Sequence, residues 1–337
     1  MYPQRADTSR LTLAKIGAAV RATPGRGRSL SERGHSHEPV LPDAILNYLD
    51  PRPGEVIVDG TVGLGGHASL LIPRIQPGGR YIGLDLDAAM LEMARQRLAA
   101  IDTSGLELVT ANYADLRDIL RRLGLEHADH VLLDLGINSA QLDDPVRGFS
   151  FDADGPLDMR FNREQKEQAL DLVNRLPESE LADLFYQFGQ EGASRKIAKR
   201  ICQVRHERRI TTTKVLAAAV ESVFHSGRVK TVGKIHPATR VFQALRVAVN
   251  RELDNLSRFL AGVTEGVRVG GKLAVVSFHS LEDGAVKRFF RERKGTGEWK
   301  ELTKEPVIAD EAERRRNPRS RSAKLRVGLR TDPTAGA

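Results

Sequence analysis

Cysteine is nearly absent from this chain: Cys202 is the single one among 337 residues. That excludes an intramolecular disulfide and any multi-cysteine metal centre, and it fits a reducing compartment. Apolar runs are short, none approaching the ~18 residues of a membrane span, so a membrane-embedded chain is excluded and a cytoplasmic protein is expected. Acids are in deficit, 44 Asp and Glu against 52 Lys and Arg, giving a formal charge of +8 and a sequence pI near 9.7. Such an excess favours polyanionic partners, nucleic acid first, although it also serves solubility. Apolar side chains are plentiful: at 40% hydrophobic content the chain can bury a large core, as one large or two modest domains.

Residues 1–36 read as a basic, disordered arm, with Arg5, Arg10, Lys15, Arg21, Arg26, Arg28 and Arg33 against Asp7 and Glu32. The arm lacks the apolar core of a secretory signal, while its Arg and Ser content leaves an organelle-targeting role open. It is otherwise a nucleic-acid contact or a solvated extension. Residues 331–337 read as a tail.

Two short apolar runs ending in acids flank a glycine-rich loop. Val56-Ile57-Val58-Asp59 leads into glycines at 60, 63, 65 and 66 and then His67; Tyr81-Ile82-Gly83-Leu84 ends in Asp85, twenty residues after Gly65. The order is strand, tight turn, helix, strand, carboxylate, as in a nucleotide-cofactor site. Glycines let backbone N–H groups approach a ligand, a helix starting near His67 offers its positive end, and Asp85 can accept hydrogen bonds from ribose hydroxyls. Gly63-x-Gly65-x-x-Ala68 also satisfies the dinucleotide pattern.

Apolar runs at 55–59, 80–84, 106–110 and 130–135 alternate with helical patterns, of which Ala88 to Leu98 is the clearest. This predicts an α/β fold with a doubly wound, mostly parallel sheet. Asp59, Asp85 and Asp134 end three of the runs, and such sheets bind ligands at their carboxyl ends, so three acids are expected in one crevice. From about 142 to 233 the strand signal disappears. Helical patterns at Gln165–Leu176, Glu178–Phe188, Ser194–Arg208 and Thr213–Phe224 predict an all-helical insertion domain over 142–233, leaving 37–141 and 234–330 to the sheet domain. One long amphipathic helix from Pro237 to about Leu260 is expected to lead back to a strand at 270–277, and Ala323 to Leu329 can add a last, antiparallel strand.

The stretch from Arg147 to Phe161 mixes glycine, aromatics, acids and arginines with no period, which reads as a functional loop. Its Phe149, Phe151 and Phe161 either pack the insertion onto the sheet or stack on bases. Arg314 to Lys324 holds six Arg or Lys in eleven positions, dense enough to neutralise phosphates, with a solvated tail as the alternative. Arg195, Lys196, Lys199, Arg200 and Arg205 fall on one predicted helix and offer RNA a basic face. His67, His236 and His279 have no metal-ligand spacing, and no metal is expected.

Together, Gly65-Gly66-His67 and the segments at 132–151 (LLDLGINSAQLDDPVRGFSF), 154–161 (DGPLDMRF), 236–253 (HPATRVFQALRVAVNREL), 277–283 (SFHSLED) and 317–327 (NPRSRSAKLRV) closely resemble one family. It is the bacterial 16S ribosomal RNA cytosine-N4-methyltransferase family, known as RsmH or MraW, and the resemblance runs from about His37 to Arg330. It implies a class I, Rossmann-like methyltransferase fold, S-adenosylmethionine as cofactor, and methylation of the exocyclic N4 amine of a decoding-centre cytidine in the small ribosomal subunit. It places the methionine and ribose of the cofactor against Gly65, Gly66 and His67, with Asp85 on the ribose hydroxyls. It also places Tyr113 beside the adenine, and Asp134 with Gln141 near the methyl-donor end. Asn138 stands where the family usually has serine.

A sulfonium methyl is already an activated electrophile, so the cytosine amine mainly needs alignment and exclusion of water. Asp134, Asn138, backbone carbonyls of 134–139, or His279 and Ser280 could accept hydrogen bonds from that amine, and a paired base would first have to be flipped out. A methyltransferase for another RNA or atom, a non-catalytic ribosome-assembly factor and a nicotinamide-dependent oxidoreductase are the competing readings; the last leaves the 134–161 loop and the basic run without a use. Homo-oligomerisation stays open.

Overall fold

The computed structural model describes residues 38–224 and 236–334, so the basic arm and the end of the expected insertion lie outside the described residues. Five strands are short and dense in Val, Ile and Leu: β1 (Val56–Asp59), β2 (Arg80–Asp85), β3 (Leu106–Thr110), β4 (Ala128–Asp134) and β5 (Val267–Ser277). They pair in parallel, β3 with β2, β2 with β1, β1 with β4 and β4 with β5. Alternate residues go to opposite faces, and where both faces are covered, in β1, the middle of β2, the end of β4 and the second half of β5, the runs are mostly apolar; β3 is only partly buried. Val58, Ile82, Val131, Leu133, Leu273 and Val275 join one core with α4 (Leu116–Arg122), α11 (Glu252–Gly266) and α12 (Ser280–Gly295). Ile57, Tyr81, Leu132, Ala274 and Val276 join the other with α1 (Pro42–Leu49), α2 (Ala68–Ile75) and α3 (Ala88–Leu98). Each such buried aliphatic side chain contributes on the order of 1.5–3 kcal/mol.

The strand order is β3-β2-β1-β4-β5-β7-β6, where β7 (Lys324–Arg330) runs antiparallel to β5 and to the three-residue β6 (Trp299–Glu301). The chain leaves β1 in one direction along the sheet for β2 and β3, then returns for β4 and β5. The switch point between β1 and β4 opens a crevice at their carboxyl ends. Among the described residues no helix is long and apolar enough to cross a membrane.

After β4 come α5 (Ser139–Asp143) and an irregular loop, then α6 (Ala169–Arg175), α7 (Glu178–Gly189), α8 (Ser194–Glu207), α9 (Thr213–Phe224) and α10 (Ala238–Val249). These helices share a separate core around Phe185, Ile197, Ile201, Val241 and Leu245. A single helix over 237–260 does not form. The chain breaks at Asn250 and Arg251, whose φ of 50° is left-handed, and continues as α11. The physical reason is a change of core: α10 is buried among the helices and α11 against the sheet. The Asn250 amide holds the break, donating to the carbonyls of Arg246 (2.9 Å) and Met159 (2.8 Å) and accepting from the Phe161 N–H (2.7 Å). The last helix, α13 (Glu311–Arg316), precedes β7.

Candidate functional site

The crevice at the switch point encloses about 1050 Å³ of atom-free space, its open mouth included. One wall is the loop after β1, from Gly60 to His67; another is the loop after β4, from Asp134 to Asn138; Glu38, Phe161, Glu252 and Arg319 complete the rim. Asp85 ends β2 at this wall and organises the glycine loop: its two oxygens accept from Gly63 N (3.0 Å) and Asp87 N (2.9 Å). Burial pushes its carboxyl up to about 7, with the negative charges of Asp87 and Asp59 adding to the effect. Asp134 ends β4, its N–H donating to Thr61 Oγ1 at 2.6 Å. His67 Nε2 lies 3.4 Å from Asp134 Oδ2 without hydrogen-bond alignment, and Asp134 Oδ1 is buried with no partner.

Gly66, His67, Asp85, Tyr113, Asp134, Asn138 and Gln141 thus meet at one crevice. Gly65 does not line it. Its N–H is used by Val62 O at 2.8 Å, and a Cβ there would stand 3.3 Å from Leu98, so this glycine lets α3 pack against the loop. His279 is not on the wall either: it caps α12, Nδ1 accepting from Glu282 N at 3.4 Å. Ser280 Oγ is engaged by Gln190 at 2.5 Å. The expected convergence of three acids is corrected to two. Asp59 sits beneath the loop, 1% exposed, accepting from Tyr81 OH (2.8 Å) and Thr61 N (3.1 Å). Burial raises its carboxyl to about 6 against the pull of His67.

Asn138 and Gln141 form a capping box on α5: Gln141 N donates to Asn138 Oδ1 (2.9 Å) and Asn138 N to Gln141 Oε1 (3.3 Å). A serine would cap the same helix, which accounts for either residue here. Tyr113 stands edge-on to Phe259, ring centroids 5.6 Å apart, and its phenol is raised by burial and by Glu252 and Glu282. Glu252, His279 and Glu282 bring one ligand atom each within 4.8 Å of one another. Arg246 already holds Glu252 with two hydrogen bonds (2.8 and 3.0 Å), so the cluster's charge is answered from within the chain. Burial raises the Glu252 carboxyl; for Glu282 burial acts the same way, but His279 and Arg246 outweigh it and hold the group low.

Residues outside the expected cofactor and amine contacts also reach the site. Phe161 was noted for packing or stacking, and here it lines the crevice, whereas Phe149 and Phe151 are packed in or against the helical core. Arg319, in the basic run, donates to Ile137 O on the crevice wall, and burial lowers its guanidinium against Asp134 and Asp143. Neighbouring arginines are also spoken for, Arg315 by Glu311 and Arg316 by Glu38. On α8, Arg195, Lys196 and Lys199 are exposed, while Arg200 reaches Ser222 and Arg205 the Val173 carbonyl. Glu252 and Glu282 had no signal beyond lying in segments that resemble a family.

A family model described as the MraW methylase family matches residues 34–331. A ribosomal RNA small subunit methyltransferase H from Syntrophotalea carbinolica is 44% identical over 306 residues, 86% of this chain and 96% of that one. The protein of the same name from Deinococcus radiodurans is 46% identical over 305 residues, 90% and 92% of the two chains. Among solved structures, an rRNA methylase from Streptococcus thermophilus covers 86% of this chain and 94% of its own, with a TM-score of 0.40 at 10% identity. The fold is that of class I S-adenosylmethionine-dependent methyltransferases, and with a family match across nearly all its described residues the chain belongs to the MraW methylase family.

Proposed function

We propose that this methyltransferase acts on the exocyclic N4 amine of a decoding-centre cytidine in 16S ribosomal RNA, within the small subunit. The observation that supports this reading most is Asp134. Asp134 lines the crevice and its buried Oδ1 has no hydrogen-bond partner, an acceptor suited to an amine that brings its own donor.

The residues present fit S-adenosylmethionine. Asp85 has one backbone N–H on each oxygen and lone pairs left for a ribose diol, and Gly63 and Gly66 give a wall free of side chains. Tyr113 with Leu256 would offer adenine an apolar flank, and His67, Asp134 and Gln141 would hold the methionine end. Gly65 supports the loop from behind. When bound, the cofactor supplies an activated methyl on sulfonium, so the chain's own task is alignment. Asp134, and the carbonyls of the loop that the Asn138 cap holds in shape, would accept from the amine and orient its lone pair. His279 acts at a distance, by fixing the Phe278 turn through Glu282.

Two measurements test the reading. Labelled S-adenosylmethionine is incubated with unmodified small subunits and the modified nucleoside identified by mass spectrometry; N4-methylcytidine is expected, and a different methylated nucleoside would overturn the assignment of the atom. Asp85→Ala is expected to weaken cofactor binding far more than RNA binding, and equal cofactor affinity in a calorimetric titration would refute its placement on the ribose.

A further inference from the structure

Away from the reacting atoms lies a buried ion pair that the alignment mechanism does not use. Asp87 and Arg147 are 3% and 5% exposed, with Arg147 Nη1 at 2.5 Å from Asp87 Oδ2. Buried pairs of this kind often add little net stability over an apolar pair of the same shape, so what the pair holds in place is the more informative question. Asp87 caps α3 through Ala89 N (3.2 Å), donates its own N–H to Asp85 Oδ1 (2.9 Å), and accepts from Gln141 Nε2 (3.0 Å). The second arm of the guanidinium, Nη2, donates to the carbonyls of Arg160 (2.7 Å) and Phe161 (3.3 Å). A continuous path of direct hydrogen bonds therefore runs from Asp85 through Asp87 and Arg147 to Phe161. Phe161 lines the crevice, and its ring stacks on Phe149 with centroids 5.5 Å apart at 27°; the Arg147 guanidinium lies 5.6 Å from the Phe149 ring centre. Asn250 ties the Phe161 N–H at 2.7 Å from the opposite side.

We propose that Asp87 and Arg147 are positioning residues: they lock Phe161 to the cofactor wall so that the target base, stacked on that ring, is held in line with the methyl donor. An extruded base needs a stacking face, and Phe161 is the phenylalanine of the 147–161 loop that the crevice exposes. The fork reaches Asp87 with one nitrogen and the two carbonyls with the other; a lysine in its place keeps the charge but has all its donors on one atom and loses that span. The proposal rests on the crevice being the methyl-transfer site.

The test is a double-mutant cycle with Arg147→Lys and Phe161→Ala, read as kcat and KM for unmodified small subunits beside cofactor Kd and the thermal midpoint. Arg147→Lys is expected to lower kcat by about tenfold or more while cofactor Kd stays within about twofold, a split that loss of an alignment interaction produces. Phe161→Ala is expected to lose a similar factor. The double variant should be no slower than Phe161→Ala, because the two act through one ring. Losses that multiply, or a cofactor affinity that falls as far as kcat, would show a structural pair and overturn the proposal. Should Arg147→Lys fail to fold, Asp87→Asn, which can keep the Oδ1 acceptor for Ala89 while turning an NH2 donor toward Arg147, takes its place in the cycle. Absence of transfer by the unaltered protein would instead overturn the underlying reading, and this proposal with it.

Discussion

At Gly60 a single methyl group is enough to disturb the crevice. A Cβ there would lie 2.4 Å from Leu133 Cδ2 and 2.8 Å from Tyr113 Cβ, both inside contact distance. Gly60→Ala is expected to cost about 1–3 kcal/mol in a denaturant titration and to weaken cofactor binding by displacing Tyr113; unchanged cofactor affinity would mean that Tyr113 does not touch the adenine. The two raised carboxyls give opposite signatures with pH. Asp85, at about 7, must be ionised to accept ribose hydroxyls fully, so cofactor affinity should rise by about tenfold from pH 6 to pH 8 and level off above. Asp59, at about 6, binds its proton more firmly folded than unfolded. Its contribution therefore favours the fold below about pH 4 and is lost as pH rises through 6, a change on the order of 3 kcal/mol. Asp59→Asn should flatten the thermal-stability profile of the cofactor-free protein between those limits, and an unaltered slope would exclude Asp59 as its source.

Elements whose cause is local were legible in the sequence, and elements whose cause is remote were not. The parallel strands announce themselves because burial on both faces demands unbroken apolar runs, and α3 has its bounds written by the cap at Asp87 and the period up to Leu98. The break between α10 and α11 has no local mark. Arg251 is an unfavoured residue for a left-handed turn, and what fixes it there is Asn250 bonded to residues some ninety positions earlier, Met159 and Phe161. Asn250→Ala leaves the Phe161 N–H and the Met159 carbonyl without partners and is expected to destabilise by about 2–3 kcal/mol, with the denaturant midpoint as the measure. A loss under about 0.5 kcal/mol would show that the junction is held by packing alone. The site divided in the same way. A glycine that faces ligand and one that faces a helix look alike in a sequence, so Gly66 and Gly65 could not be told apart. Asp59 and Asp134 both end strands, yet only the latter has a free side toward the crevice.

For the molecule as a whole, the positive excess is spread unevenly. Part of the C-terminal basic run is committed to internal carboxylates and carbonyls, while Arg195, Lys196 and Lys199 on α8 face solvent. If these three meet phosphates, replacing all of them by Gln should weaken RNA binding and reduce the salt slope by about 3, leaving cofactor affinity unchanged; an unchanged slope would remove α8 from the RNA-facing surface. The same basic run has a second consequence. Glu313 accepts from Leu41 N (2.7 Å), Asn317 Nδ2 donates to Glu38 O (3.0 Å) and Arg316 pairs with Glu38, so the stretch that forms one rim of the crevice is fastened by residues 272 to 279 positions later. During synthesis, Glu38 to Leu41 leave the ribosome hundreds of residues before their clasp exists. A nascent chain stopped short of Glu313 would already own the glycine loop, Asp85 and Asp134 and still have one side of its crevice unfastened.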